Sequence, residues 1–331
     1  MYKSDIPFFA KLLLYSALII SCKNSAVQDD VRKIYQDNPV TIMWEENSNK
    51  GEIESYEADV SVYSSSNRKA NGFELVNKYR LFLKTINGEQ YSRIDFNPEY
   101  NTGLCRTIIS NNELSLVVDG KTNQVQYRIK NDTNQNLKRL PFLSGNSGLT
   151  KLNLDFIKSE CSRLSLDMQE SESSKLLINI PSDYFLDKNN DTRLSTKIYF
   201  DTIDETLEKI ETVTIEEDGA FVTTTVYPVY EDSDGELVKV GSVTEIDVKY
   251  EVMSQENFDE YYDSVNDIPE ITKAELEKMQ GGGSITKIDN LAFGNPADLS
   301  YIETVAEVYQ DVKINSVPDE AFRILLDAVG E

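Results

Sequence analysis

The chemistry open to this 331-residue chain is narrowed first by what it lacks: it has 3 cysteines and 57 acidic residues but no histidine. Without imidazole there is no Ser-His-Asp or Cys-His nucleophile pair, no His-ligated zinc and no imidazole general base. No Walker loop or GxGxxG occurs, and Gly281-Gly282-Gly283-Ser284 lacks the Lys-Ser/Thr that a phosphate loop needs. Asp187-Lys188-Asn189-Asn190-Asp191 begins like a calcium loop. Thr192 then stands where Gly is needed and Ile198 where a bidentate Glu is needed. Asp232-Ser233-Asp234-Gly235 fails the same spacing. Carboxylate pairs remain as acid–base candidates, but no pair is distinguished by its setting. No catalytic residue, metal site or cofactor is therefore assigned, and an enzyme is not expected. A carboxylate hydrolase would need a polar cleft with two facing acids. Cys105 and Cys161 could form one disulfide in an exported protein, or remain two half-buried thiols.

The third cysteine carries an address. Lys3 and Lys11 flank a short apolar head, and 12–20 form an apolar run that ends in Ser21-Cys22. The run is short for a transmembrane helix and has the layout of an export signal. Ile19-Ile20-Ser21-Cys22 resembles the lipobox of bacterial lipoproteins, in which cleavage precedes a Cys that takes a diacylglycerol. An ordinary signal peptide or an uncleaved anchor are the alternatives. The expected organisation is a signal peptide over 1–21, a flexible tether from acylated Cys22 over 22–40, and a domain over 41–331. The expected place is outside the cytoplasm, on a bacterial outer membrane or cell surface. A formal charge of −24 repels phosphate backbones, so nucleic acid is not an expected partner.

The elements that would carry a site are mostly strands. Over 73–129 apolar and polar residues alternate with period two. Tyr79, Leu81 and Leu83, then Ile94 and Phe96, then Leu114, Leu116 and Val118, then Val125, Tyr127 and Ile129 are expected on one greasy face. Gly88, Pro98, Asn111-Asn112 and Asp119-Gly120 mark turns. Trp44 reads as core. The island Leu140-Pro141-Phe142-Leu143 is either a plug on the core or a mobile flap. Apolar residues at 149, 152, 156 and 157 predict a short helix. Strands follow around 164–168, 176–180, 198–200, 210–215, 221–230 and 242–252, with a hairpin turn over 231–235. Short helices are expected at 258–262 and 273–280, and a last strand or helix–strand pair over 302–322. Ten to twelve strands and a few short helices predict a mainly β fold: one large curved antiparallel sheet with helices against its inner face.

Four stretches of the meander resemble the LolA/LolB-like lipoprotein carriers: residues 79–84 (YRLFLK), 92–98 (SRIDFNP), 107–114 (TIISNNEL) and 119–125 (DGKTNQV). The tail over 308–322, or alternatively 247–258, is similar to that family's closing element. The resemblance implies an open half-barrel, with a C-terminal extension after about 253. It implies an apolar cleft for acyl chains of lipids or lipoproteins and a non-catalytic carrier or acceptor role. Tyr79, Leu81, Leu83, Ile94, Phe96, Leu116, Val118 and Tyr127 would line the cleft, and Arg93 would make a rim contact. GerS-like and RseB-like envelope proteins use the same kind of fold for interaction or sensing. A filled core with a protein partner is the alternative expectation.

Overall fold

The structure, a computed structural model, describes residues 25–45, 53–68, 72–100, 106–111, 113–119, 122, 124–130, 149, 152–171, 174–181, 193–215, 220–250 and 300–329. Helix α1 (Ser25–Asp37) and the short β1 (Ile42–Trp44) come first. A first meander follows: β2 (Ser55–Ser66), β3 (Glu74–Ile86), β4 (Glu89–Phe96), β5 (Arg106–Ser110), β6 (Leu114–Asp119) and β7 (Val125–Lys130). Helix α2 (Leu154–Arg163) leads into a second: β8 (Asp167–Ser171), β9 (Lys175–Pro181), β10 (Arg193–Asp201), β11 (Thr206–Ile215), β12 (Ala220–Ser233) and β13 (Glu236–Tyr250). Strand β14 (Tyr301–Ile314), a 3-10 turn (Asp319–Phe322) and α3 (Arg323–Val329) end the described chain. Two hairpins close with two-residue turns whose central residues all have positive φ: Asn87 (53°) and Gly88 (79°), and Asp234 (58°) and Gly235 (90°). That geometry matches the twist of the flanking strands.

All the described strands join one 14-stranded sheet in the order β7-β6-β5-β4-β3-β2-β14-β13-β12-β11-β10-β9-β8, with β1 paired to β14. The fold is mainly β, as the alternation predicts, and the path pairings are antiparallel. The last strand lies in the middle. It pairs with β2 through Val308↔Ser61 and with β13 through Gly241↔Val308. Strand β14 thus completes the sheet rather than extending a finished one; 251–299, the first part of the extension expected after about 253, lie outside the described residues. It is also the closing element among the described residues; 251–258 lie outside them. A bulge at Asp311 (φ 48°) redirects β14. Beyond the end of its β13 pairing, β1 takes the open edge in parallel, from Ile42↔Val312 to Trp44↔Ile314. Trp44 packs on the core there and donates from Nε1 to Ser233 Oγ at 3.1 Å.

Directly paired residues share a sheet face, so the registers decide what covers what. Ala306, Val308 and Val243 lie on one face, called here the Val308 face. Val31, Ile34 and Tyr35 of α1, at helical spacing, pack against them. Residues 25–37 are therefore part of the fold and not a flexible tether. Asn38 ends the helix by donating from Nδ2 to the Ile34 carbonyl at 2.8 Å, and Pro39 follows. The pairings Gln310↔Asp59, Asp59↔Arg80, Arg80↔Asp95 and Asp95↔Thr107 carry the same face to β5. Ile109, Leu116 and Val118 are buried there under Val317, Phe322 and Leu325 of the chain end. The other face, called the Tyr309 face, takes α2. Leu154, Ile157 and Cys161 pack on Ile178, Ile198 and Phe200, and Ile198↔Ile210, Ile210↔Val226, Val226↔Thr244 and Thr244↔Val305 tie that patch to it. Helices therefore pack on both faces of the sheet. Cooperation of Asn153 and Phe156 starts α2: the Asn153 side chain accepts from the Phe156 N–H at 2.9 Å. The helix begins later than the 149–160 pattern predicts. Leu149 is instead a separate buried contact, and its carbonyl accepts from the Lys239 N–H at 2.7 Å.

Gly241 lets α1 come down onto the sheet. A Cβ there would collide with the Glu307 carbonyl and with the Tyr35 hydroxyl, which itself donates to that carbonyl at 2.7 Å. Gly241→Ala is expected to destabilise the chain by about 1–3 kcal/mol through overpacking. Urea denaturation checks this, and an unchanged midpoint would contradict the close approach.

Candidate functional site

The greasy face of the first meander splits in two. Tyr309↔Val60, Val60↔Tyr79 and Tyr79↔Phe96 form one row of the Tyr309 face, and Leu81↔Ile94 extends it. Tyr79, Leu81, Leu83, Ile94 and Phe96 therefore sit together as expected, all half-buried. Leu116 and Val118 do not join them. Val118 pairs with Thr107 and Leu116 with Ile109, which places both, with Leu114, on the Val308 face beneath the chain end. The cause is legible afterwards. Ile108-Ile109 and Leu116-Val117-Val118 are apolar on both faces, and period two cannot orient such runs. Ile108 and Val117 are the residues of β5 and β6 that face Ile94. Tyr127 pairs with Val117 and so shares the Tyr309 face, but it is 59% exposed on the edge strand, beside Ile129 at 53%.

Arg93 is not a rim contact either. It faces the Val308 side, where Nε donates to Asp95 Oδ1 at 2.9 Å and Nη1 to the Ala321 carbonyl at 2.9 Å. With Lys84, whose ammonium pairs with Asp319 at 2.7 Å, it clamps the chain end onto the sheet. Cys161 is a buried free thiol inside the α2 core, and burial pushes it up to about 11. Cys105, Cys22, the export signal and 140–143 lie outside the described residues.

Beside the apolar row lies a polar seam that pattern reading did not find. Glu307 accepts from Tyr79 at 2.9 Å, from Ser242 at 2.9 Å and from Tyr309 at 3.3 Å. Burial, then the Glu307 charge, raises both phenols above their usual range. Tyr56 donates to the Lys239 carbonyl at 2.7 Å. The Lys239 ammonium lies 5.7 Å from the Tyr309 ring centroid. Burial lowers this lysine, and the Glu307 charge only partly offsets that. Three hydroxyls donate to Glu307, one to Oε1 and two to Oε2, so the seam orients Tyr79 at the end of the apolar row. Its one sequence signal is a lone carboxylate inside the run Val305-Ala306-Glu307-Val308-Tyr309. Among the described residues no group of three or more His, Cys, Asp or Glu is arranged to hold a metal, and no helix is long and apolar enough to cross a membrane.

No family model and no curated protein matches the sequence. Among solved structures, the chain is similar to one in the structure of the CwlD amidase from Clostridioides difficile in complex with the GerS lipoprotein. Identity is 13% and the TM-score 0.23, over 60% of this chain and 89% of that one. A likeness at that level carries no argument about this chain's ligand or partner, and the LolA/LolB-like resemblance stays a resemblance.

A lysine lowered by burial gives up its proton more readily when folded. The unfolded chain then binds more protons between the lowered value and the ordinary 10.5, and stability rises with pH across that window. Below it the charged Lys239 costs stability in full. Lys239→Met is expected to melt higher than the parent at neutral pH, with the difference shrinking as pH rises toward 10.5. Melting curves across pH check it, and an equal or lower melting temperature at neutral pH would count against a costly buried charge.

Proposed function

We propose that this is a non-catalytic binding protein of a bacterial cell envelope, held on its membrane through acylated Cys22. Its ligand is the acyl chain of a lipid or lipoprotein, and the half-buried row of the first meander receives it. One observation carries this reading. On β3 to β6 the Val308 face is roofed beyond the polar middle, with Ile109 and Leu116 fully buried, whereas Leu81, Leu83, Ile94, Phe96, Ile108 and Val117 on the reverse stay half-exposed. A half-exposed apolar surface spanning several strands gains from an apolar ligand. Each methylene withdrawn from water onto it contributes about 0.8 kcal/mol. The address in the sequence supports the choice of ligand, since a chain anchored by its own lipid works where acyl chains are at hand.

A second reading rests on the edge strand. Strand β7 shows Val125, Tyr127 and Ile129 to solvent and, among the described residues, pairs only with β6. Such an edge suits strand addition by a protein partner. The chain would then be an envelope interaction or sensor protein of the GerS-like or RseB-like kind.

The purified chain is expected to yield lipid on organic extraction and to bind a fluorescent fatty acid. The double substitution Leu83→Thr and Ile94→Thr, which keeps strand propensity, is expected to weaken that binding about tenfold or more at unchanged circular dichroism. Finding no extractable lipid and no saturable fatty-acid binding, with a stoichiometric protein recovered instead, would reject the acyl reading for the second.

A further inference from the structure

The Val308 face has a middle that neither covering element reaches. Helix α1 lies over Ala306 and Val308, and the chain end lies over Ile109 and Leu116. Between them β14, β2, β3 and β4 turn charged and polar side chains outward. One row runs Gln310, Asp59, Arg80, Asp95, and the next runs Ser61, Lys78 beside Asn97. An open cavity of about 410 Å³ sits on these rows, and Asp59, Lys78, Arg80, Asn97, Gln310 and Asp311 contribute to its wall. That volume falls in the range of small-molecule sites.

The polar groups divide into those already engaged and those left over. Arg80 pairs with Glu57, and its Nε is 3.6 Å from Asp59. Asp95 is taken by Arg93 and by the Thr107 hydroxyl at 2.7 Å. The Lys78 ammonium has no carboxylate partner among the described residues; it lies 5.6 Å from the Tyr100 ring centroid. Asn97 uses its oxygen to accept the Glu99 N–H at 2.9 Å, and Gln310 uses its oxygen to accept from Ser61 at 3.4 Å. The amide N–H₂ groups of both remain as donors. Toward β14 stand acceptors with capacity to spare: Asp59, whose contact among the described residues is the long one to Arg80, and Asp311, which accepts from Thr41 at 2.9 Å through one oxygen. The cavity thus offers Lys78 and the Asn97 amide over β3 and β4, and the carboxylates of Asp59 and Asp311 over β2 and β14. A lysine with no carboxylate partner among the described residues, in a chain of net charge −24, is poised for an anionic group.

We propose that this cavity is a binding site for a small zwitterion of the amino-acid or dipeptide kind. The ligand carboxylate is taken by Lys78 and Asn97, and its ammonium by Asp59 and Asp311. The site lies on the opposite face of the sheet from the apolar row and stands independently of it.

Calorimetric titration of the purified chain with alanyl-alanine, its N-acetyl form and its C-terminal amide tests the assignment. Saturable binding of the free dipeptide is expected, with each capped form at least about tenfold weaker, because each loses one charge-assisted contact. Lys78→Met is expected to bind the free dipeptide at least about tenfold more weakly and to lose the preference over the amide. Asp59→Asn is expected to lose the preference over the N-acetyl form. Circular dichroism and melting temperature verify that both variants fold. No saturation at millimolar dipeptide, equal affinity for the capped forms, or unchanged binding by folded Lys78→Met would each overturn the proposal.

Discussion

The ladder that β14 makes with β2 on one side and β13 on the other holds two meanders in one sheet. Each meander is built from neighbours in sequence. Among the described strands, the ladder that joins the two runs through residues 301–314. Contacts of that separation are slow to form, because a long loop must close before they are rewarded. The sheet's centre is thus the last of its described strands in sequence, and much of the fold hangs on it. Tyr35 docks α1 by donating to the Glu307 carbonyl, β1 uses the edge that β14 leaves open beyond its bulge, and the Glu307 carboxylate collects the hydroxyls of the polar seam.

A sheet has two faces, and this one covers them unequally. On the Val308 face, α1 and the chain end bury two apolar patches and leave a charged strip between them. On the Tyr309 face, α2 fills the second meander, while the first keeps a half-exposed apolar row. Functional capacity sits where cover is missing, an apolar row on one side and a zwitterionic cavity on the other. The chain end is held by Lys84 and Arg93 as well as by Phe322 and Leu325. Polar contacts at its margin and apolar ones beneath it fix its position over β5 and β6.

How much of this could be read from residue order varies by element. Strands with one apolar face, such as β3 with Leu81 and Leu83, β4 with Ile94 and Phe96, and β9 with Leu176 and Ile178, are evident from period two. The hairpin turn over 231–235 is evident from Asp234-Gly235. Runs apolar on both sides, Ile108-Ile109 and Leu116 to Val118, hide their orientation, and so Leu116 and Val118 were expected on the wrong face. The place of β14 depends on which distant strands it pairs with, and no local pattern encodes that. The 25–37 helix reads as a polar tether with at most a short helix around 31–35, because over 29–37 its buried residues are Val31, Ile34 and Tyr35, three apolar contacts among charged neighbours. Glu307, Lys78 and Arg93 gain their surroundings from cross-strand register and were indistinct among the many other charged residues.

The central claim is that an apolar ligand lies on the Tyr309 face of the first meander and not on its reverse. A spin-labelled fatty acid titrated into methyl-labelled protein tests it most directly, because relaxation broadening falls steeply with distance. The account predicts broadening of the Leu81, Leu83 and Ile94 methyls, with Ile109, Leu116 and Leu325 on the roofed side left sharp. Equal broadening on both sides, broadening confined to the roofed side, or none at saturating ligand would contradict it.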